Sequence, residues 1–287
     1  MKLHRPADKS ISRTFDSWME FVNLAKNGQS EITNNIRSSR VGSNSFAGCS
    51  FQEALNLAKV GWPQGVSDIR NKIDILWSTI STKRSIPEMR MSYVGPGTLD
   101  IKRYNLGHPQ PYVTWVPGEQ ESEATGSIVK LVCNGTASSG VSVGTLFSRG
   151  ARVCVLTDLL EKAGKRVEIS IAFRVKGYSS GEIQYEIPIK GSQDPLDIDR
   201  IAFSLAHAST LRRLAFSVLE QENLGVRGAC GITPGGGYGV PGDLPTTGID
   251  IYIPAASGYK AEMSDKAQLD WLKQNLTAQG IEILDDK

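Results

Sequence analysis

Ile128-Val-Lys-Leu-Val-Cys133 is an apolar, β-branched run that empties into the polar loop Asn134-Gly-Thr-Ala-Ser138. Beyond the loop, Val153, Leu156, Leu159, Leu160 and Ala163 recur at helical spacing, and Gly164 stands where a helix C-terminus is capped. Arg166-Val-Glu-Ile-Ser-Ile-Ala-Phe173 then reads as a second strand. Strand, polar loop, helix and strand make a βαβ unit, so the two strands should lie parallel with a right-handed crossover.

Working outward toward the C-terminus, Gly177–Gly181 reads as a hairpin turn into Glu182–Ile189, an antiparallel strand. Two helices follow. Asp197 is expected to cap the first, with Ile198, Ile201, Ala202 and Leu205 inside, and Ser209 the second, with Leu211, Leu214, Ala215 and Val218 inside. Gly225–Gly248 holds nine glycines and three prolines and is expected to be a mobile loop near the ligand-facing edge of the sheet. Ile249–Ile253 is a strand, Ser264 caps a helix containing Trp271, Leu272 and Leu276, Gly280 stops it, and Ile281–Leu284 is a last strand.

Working outward toward the N-terminus, residues 1–13 are polar and expected to be loose. Phe15, Trp18, Met19 and Val22 form the apolar stripe of a helix. Residues 27–49, rich in Asn, Ser and Gly, read as a long loop. Ser50 with Glu53 is a capping box, and Gly61-Trp62-Pro63 ends the helix it opens. The spacing of Ile69, Ile73, Leu76, Trp77 and Ile80 predicts a third helix over Val66–Ser81. The expected fold is α/β: a small N-terminal helical layer (1–90), an irregular wrapping segment and linker (91–127), and a mostly parallel, Rossmann-like sheet with helices on both faces (128–287).

At 287 residues, 40% hydrophobic and 22% charged, the chain has the composition of a globular protein. Its net charge of +2 neither requires nor excludes nucleic acid. No run is long and apolar enough for a membrane span, and Met1-Lys-Leu-His-Arg-Pro6 lacks the apolar centre of a signal peptide. Cys49, Cys133, Cys154 and Cys230 are widely spaced and read as small buried hydrophobes in a cytoplasmic protein.

The loop Asn134-x-Thr136-x-Ser138 and the order of elements from Ile128 to Leu284 resemble a von Willebrand factor A-type domain, whose metal loop reads D-x-S-x-S. The chain also resembles an uncharacterised family of phage proteins. That resemblance rests on Phe51–Gly65, Leu160–Glu168, Pro195–His207 and Leu211–Phe216, and it places the protein in the host cytoplasm.

A hard divalent cation seeks several oxygens and a carboxylate. Asn134, Thr136 and Ser138 supply neutral oxygens, and Asp194 is the candidate supporting carboxylate. The A-type likeness would put a further aspartate after the late strand, where this chain has Ile253-Pro254. No cofactor is therefore expected, with Mg²⁺ at this loop as the weaker alternative. Gly237-Tyr-Gly-Val-Pro-Gly242 matches G-x-G-x-x-G but leads into no helix, and Pro241 removes an amide, so no nucleotide is expected. His207 ends a helix, where a cationic imidazole would complement the dipole, and no histidine sits in a catalytic constellation.

Two basic groups remain: Lys102, Arg103 and Tyr104, near Tyr112 and Trp115, and Arg212 with Arg213 at a helix start. Charge interleaved with aromatics suits single-stranded nucleic acid. The reading carried forward is a non-enzymatic binding or adaptor protein with another protein as partner. Its alternatives are a single-stranded-DNA-binding factor that recruits phage RNA polymerase or replication machinery, and a metal-dependent adaptor.

Overall fold

The computed structural model describes residues 2–7, 9–32, 35–70, 81–82, 88–93, 97–116, 127–177, 181–233, 237–257, 263–281 and 283–284. Its centre is a seven-stranded sheet. Five of its strands are β1 (Lys2–Ala7), β2 (Ser10–Thr14), β7 (Ile128–Asn134), β8 (Arg166–Lys176) and β9 (Glu182–Lys190). The others are β10 (Val240–Pro241) and β11 (Ile251–Ile253). The order is β1-β2-β9-β8-β7-β11, with β10 against the end of β8. β7 is parallel to both β8 and β11, β2 is parallel to β9, and β8 and β9 are antiparallel. The fold is therefore α/β on a mostly parallel sheet, as the βαβ pattern predicts.

The pleat explains the packing. Across the register, Leu131, Ile169, Ile187 and Ile251 fall on one face with Phe173, Tyr185 and Ile11, and all are buried in one core. Helices α1 (Trp18–Asn27), α3 (Phe51–Val60), α6 (Val143–Lys162) and α7 (Ile198–Ala206) supply the side chains that meet this face. Lys130, Glu168, Arg174 and Gln184 alternate onto the opposite face, where Asn134 and Tyr252 meet the segment around Gly242.

The capping signals act where the sequence places them. Ser50 accepts from the Glu53 amide at 3.2 Å, Asp197 from the Arg200 amide at 3.1 Å, and Ser264 from the Ala267 amide at 3.3 Å. Gly164, with φ +91°, ends α6. Its neighbour Lys165 donates its amide to Leu160 at 3.0 Å, the six-to-one bond of a left-handed C-terminal cap. Gly150 decides how α6 and α7 cross. A Cβ there would lie 2.3 Å from both the Ala206 Cα and the Leu205 carbonyl, so only glycine lets the two backbones approach so closely.

Five expectations change. Residues 97–116, within the segment 91–127 read as irregular, carry a short helix and short strands of a separate antiparallel sheet. Residues 1–13 are expected from their sequence to be loose, but Lys2–Ala7 and Ser10–Thr14 pair as β1 and β2, and β2 extends the sheet because Ile11 alternates into the core opposite Ile183. Ser209 caps nothing: its hydroxyl pairs with His207 Nδ1 at 2.7 Å, and the chain turns through a π-helix, Thr210–Ala215, before α8 (Phe216–Leu219). The region Gly225–Gly248 contains α9 (Leu224–Ala229) at its start, then β10, and is pinned by Tyr238 stacked on Phe216 at 3.7 Å. The last strand, β12 (Ile283–Leu284), pairs with β3 (Ser81–Thr82) outside the main sheet. The third helix is observed over residues 63–70 (α4), and its remainder through residue 80 lies outside the described residues, as do 178–180 of the expected hairpin turn.

Candidate functional site

The loop after β7 continues the sheet instead of opening it. Ser138 donates its amide to the Ala256 carbonyl at 2.9 Å, and Ala256 donates to Thr136 at 2.9 Å. Asn134 is fully buried. Its Nδ2 donates to the Gly242 carbonyl at 2.7 Å and to the Tyr252 hydroxyl at 3.1 Å, while its Oδ1 accepts from the Thr136 amide at 3.1 Å and from the Thr136 hydroxyl. The Asn134 and Thr136 side-chain oxygens that would face an ion are thus turned on each other.

A cation is already present at this edge. Arg149, buried on α6, donates to the Asn134 carbonyl at 2.6 Å and to the carbonyls of Ile253 and Pro254. It ties the C-terminal ends of β7 and β11 together. The sequence reading passed over Arg149, although a signal existed: it falls on the stripe Leu146, Arg149, Gly150, Val153, otherwise reserved for buried residues.

Asp194 does not belong with this loop. β9 runs antiparallel to β8, so Lys190 lies opposite Ile169, near the start of β8 rather than its end. The turn that follows, where Asp194 accepts from the Gly191 amide at 2.8 Å, is therefore at the opposite edge of the sheet from Asn134. Asn134, Thr136, Ser138 and Asp194 do not form one site. Among the described residues no group of three or more His, Cys, Asp or Glu is placed to hold a metal ion.

Arg212 and Arg213 are buried, 4% and 1% exposed, and are not a nucleic-acid surface. The π-helical turn aims both inward. Arg213 donates to the carbonyls of Cys49 (2.9 Å), Ser39 (2.6 Å) and Gly42 (2.8 Å) and to Asn44 Oδ1 (2.6 Å), which holds the long 27–49 loop against the core. Arg212 stands 4.0 Å over the Phe46 ring and donates to the Phe46 and Val141 carbonyls. Burial lowers both guanidinium pKa values from their ordinary value. His207 is a correction of the same kind. Desolvation pushes its pKa down to about 4, so it is neutral near pH 7, and its Nδ1 accepts from the Ser209 amide at 3.2 Å.

Lys102, Arg103 and Tyr104 lie on a small appendage. Its sheet is β4 (Glu88–Ser92), β6 (Tyr112–Val116) and β5 (Thr98–Leu99), all antiparallel. The short helix α5 (Ile101–Asn105) is capped by Asp100, which accepts from the amides of Lys102 (3.0 Å) and Arg103 (3.2 Å). Arg103 turns back onto the appendage, with Nη1 at 2.7 Å from Met91 Sδ and Nη2 at 3.1 Å from His108 Nε2. Lys102 and Tyr104 face solvent, Tyr104 at 62% exposure. Around them Tyr93, Leu99, Ile101 and Leu106 are also exposed, Leu106 at 85%. The sequence reading named the basic part of this patch and passed over its apolar part, because Ile101 and Leu106 look like core residues until the fold leaves them no core.

These features define an α/β protein on a mostly parallel, Rossmann-like sheet, with a separate small antiparallel appendage. The chain belongs to the family described as domain of unknown function DUF7192, whose family model matches residues 3–283. No curated protein and no solved structure matches it. All four cysteines are free and buried, and no helix among the described residues is long and apolar enough to cross a membrane.

Proposed function

We propose that this chain is a non-enzymatic, phage-type adaptor that recognises another protein through the appendage carrying α5. One observation carries this reading: five large apolar side chains, Tyr93, Leu99, Ile101, Tyr104 and Leu106, stand exposed within one short stretch. Contiguous exposed apolar surface mixed with polar groups is what macromolecular interfaces use. The A-type likeness of residues 128–287 and the phage origin rest on the sequence resemblances above, and under that reading the sheet is a rigid scaffold for the appendage.

Single-stranded DNA is the second reading, favoured by Lys102 and Tyr104 both facing solvent on α5 as charge and stacking surface. Affinity purification from phage-infected cells, with and without nuclease, separates the two. A partner recovered by the parent protein, lost with Tyr104→Ala/Leu106→Ala and indifferent to nuclease supports protein recognition. Nuclease-sensitive recovery, together with anisotropy showing salt-dependent binding of a long oligonucleotide at roughly 50 mM salt, supports the DNA reading. Recovery unchanged by the double substitution overturns the assignment of the appendage.

A further inference from the structure

A cavity of about 210 Å³ lies under the loop of residues 36–47, and none of its lining residues belongs to the appendage. Its apolar walls include the stacked rings of Phe216 and Tyr238, the Phe46 ring and Ile36. Its charged lining is Arg37, Arg212 and Arg213, with no carboxylate among the described lining residues. Glu220 stands behind the wall, fully buried and accepting from the Ser39 amide (2.7 Å), the Ser39 hydroxyl (3.1 Å) and the Tyr238 hydroxyl (2.5 Å).

The two buried arginines differ in how far they are satisfied. Arg213 spends four donors on the loop and its asparagine. Arg212 spends two, one on each terminal nitrogen, and among the described residues its Nε–H meets no acceptor. A guanidinium carries five N–H groups in a fixed fork, so Arg212 keeps unspent donors at the cavity wall. Burial lowers its pKa and no carboxylate acts in the other direction. A buried cation without a counter-ion is costly, and an anion reaching it would form charge-assisted hydrogen bonds in a site of low dielectric.

We infer that this cavity binds a small aromatic carboxylate, its ring against Phe46 and the Tyr238–Phe216 pair and its carboxylate against Arg212. An inorganic anion would leave the apolar walls uncovered, and a neutral ring would leave the guanidinium uncompensated. The size fits one ring with its headgroup, since pockets for drug-sized ligands run roughly 300–1,000 Å³. This inference is independent of the appendage and survives if the proposed function fails.

Saturation-transfer NMR on the whole chain tests it, with benzoate, benzamide and acetate as probes. Benzoate should bind saturably with a Kd of about 1 mM or tighter, the range open to so small a ligand. Benzamide and acetate should each bind at least about tenfold more weakly, because each lacks one of the two required features. Ile36 is exposed, so Ile36→Glu leaves the core intact while placing a carboxylate at the cavity. That variant and Phe46→Ala, each checked for folding by circular dichroism, should weaken benzoate severalfold. No saturable benzoate signal, benzamide binding as well as benzoate, or benzoate binding unchanged in both folded variants would each overturn the inference.

Discussion

The appendage around Tyr104 and the seam around Arg213 put basic and aromatic residues to opposite ends. In the seam, a π-helical turn points Arg212 and Arg213 into the protein, where backbone carbonyls of the 39–49 loop and Val141 take their donors. In the appendage, a helix of five residues has no buried side chain at all, and Lys102 and Tyr104 stand in water. A guanidinium is therefore a structural tie where loop carbonyls surround it, whereas the Lys102 ammonium and the Tyr104 phenol, which no loop covers, stay at the surface. What differs is the number of unsatisfied backbone acceptors nearby, because a long loop folded onto a core must place its carbonyls somewhere.

The sharpest way to break this contrast is Arg213→Ala. It strands the buried carbonyls of Cys49 and Ser39, frees the part-buried Gly42 and Asn44 acceptors, and should cost about 3–5 kcal/mol in urea unfolding. Arg213→Lys should recover only a small part, since an ammonium cannot span the same fork. A loss below about 1 kcal/mol for Arg213→Ala would mean that the loop is held by other contacts.

The next effect is a pH dependence centred on His207, which borders the seam. Its folded pKa, about 4, lies below the unfolded value of 6.5. The unfolded chain therefore binds the proton more readily, so the stability this site contributes is full above pH 6.5 and is lost as pH falls toward 4. The loss should reach about 2–3 kcal/mol. The stability difference between the parent and His207→Gln should shrink by that amount across the interval, and ring NMR should show a neutral His207 at pH 5.5. A ring that titrates near 6.5 would remove the effect.

Asn134→Asp comes third. It supplies the leading carboxylate that the A-type resemblance calls for, yet the Asn134 amide group that donates to Gly242 and Tyr252 is lost and Arg149 already holds the adjacent carbonyls. A destabilisation of about 1–3 kcal/mol is expected, with no saturable micromolar Mg²⁺ binding by calorimetry. Mg²⁺ binding with recovered stability would show that the guanidinium yields its place to an ion.

The smallest stability effect belongs to the appendage. Tyr104→Ala should leave the unfolding free energy within about 0.5 kcal/mol of the parent, while lowering partner recovery. A large loss of stability would identify Tyr104 as a packing residue and collapse the contrast with Arg213.

Much of the architecture was legible from local signals. The βαβ unit around Asn134 follows from two apolar runs flanking a helical stripe, and the caps at Ser50, Asp197 and Ser264 follow from residue type and spacing, because each is satisfied within three residues. Residues 2–14 were less legible, since β2 gains its place only by pairing with β9, more than 160 positions away along the chain. The site was least legible. Asp194 was assigned to the wrong edge because strand direction follows from the β8–β9 pairing and not from residue identity. Arg149 shows in the sequence only as a charge on a buried stripe, and its partners, backbone carbonyls, are not named by any residue type.

Taken alone, then, the sequence determined the helix starts capped by Ser50, Asp197 and Ser264, and that the sheet is built on parallel β7 and β8. Periodicity and capping are short-range properties of the residues concerned. Tertiary structure alone decided which arginines are ties and which basic and aromatic groups are surface. That choice depends on which distant loop carbonyls and rings come within hydrogen-bonding or packing distance, and burial is a property of the assembled fold rather than of any residue within it.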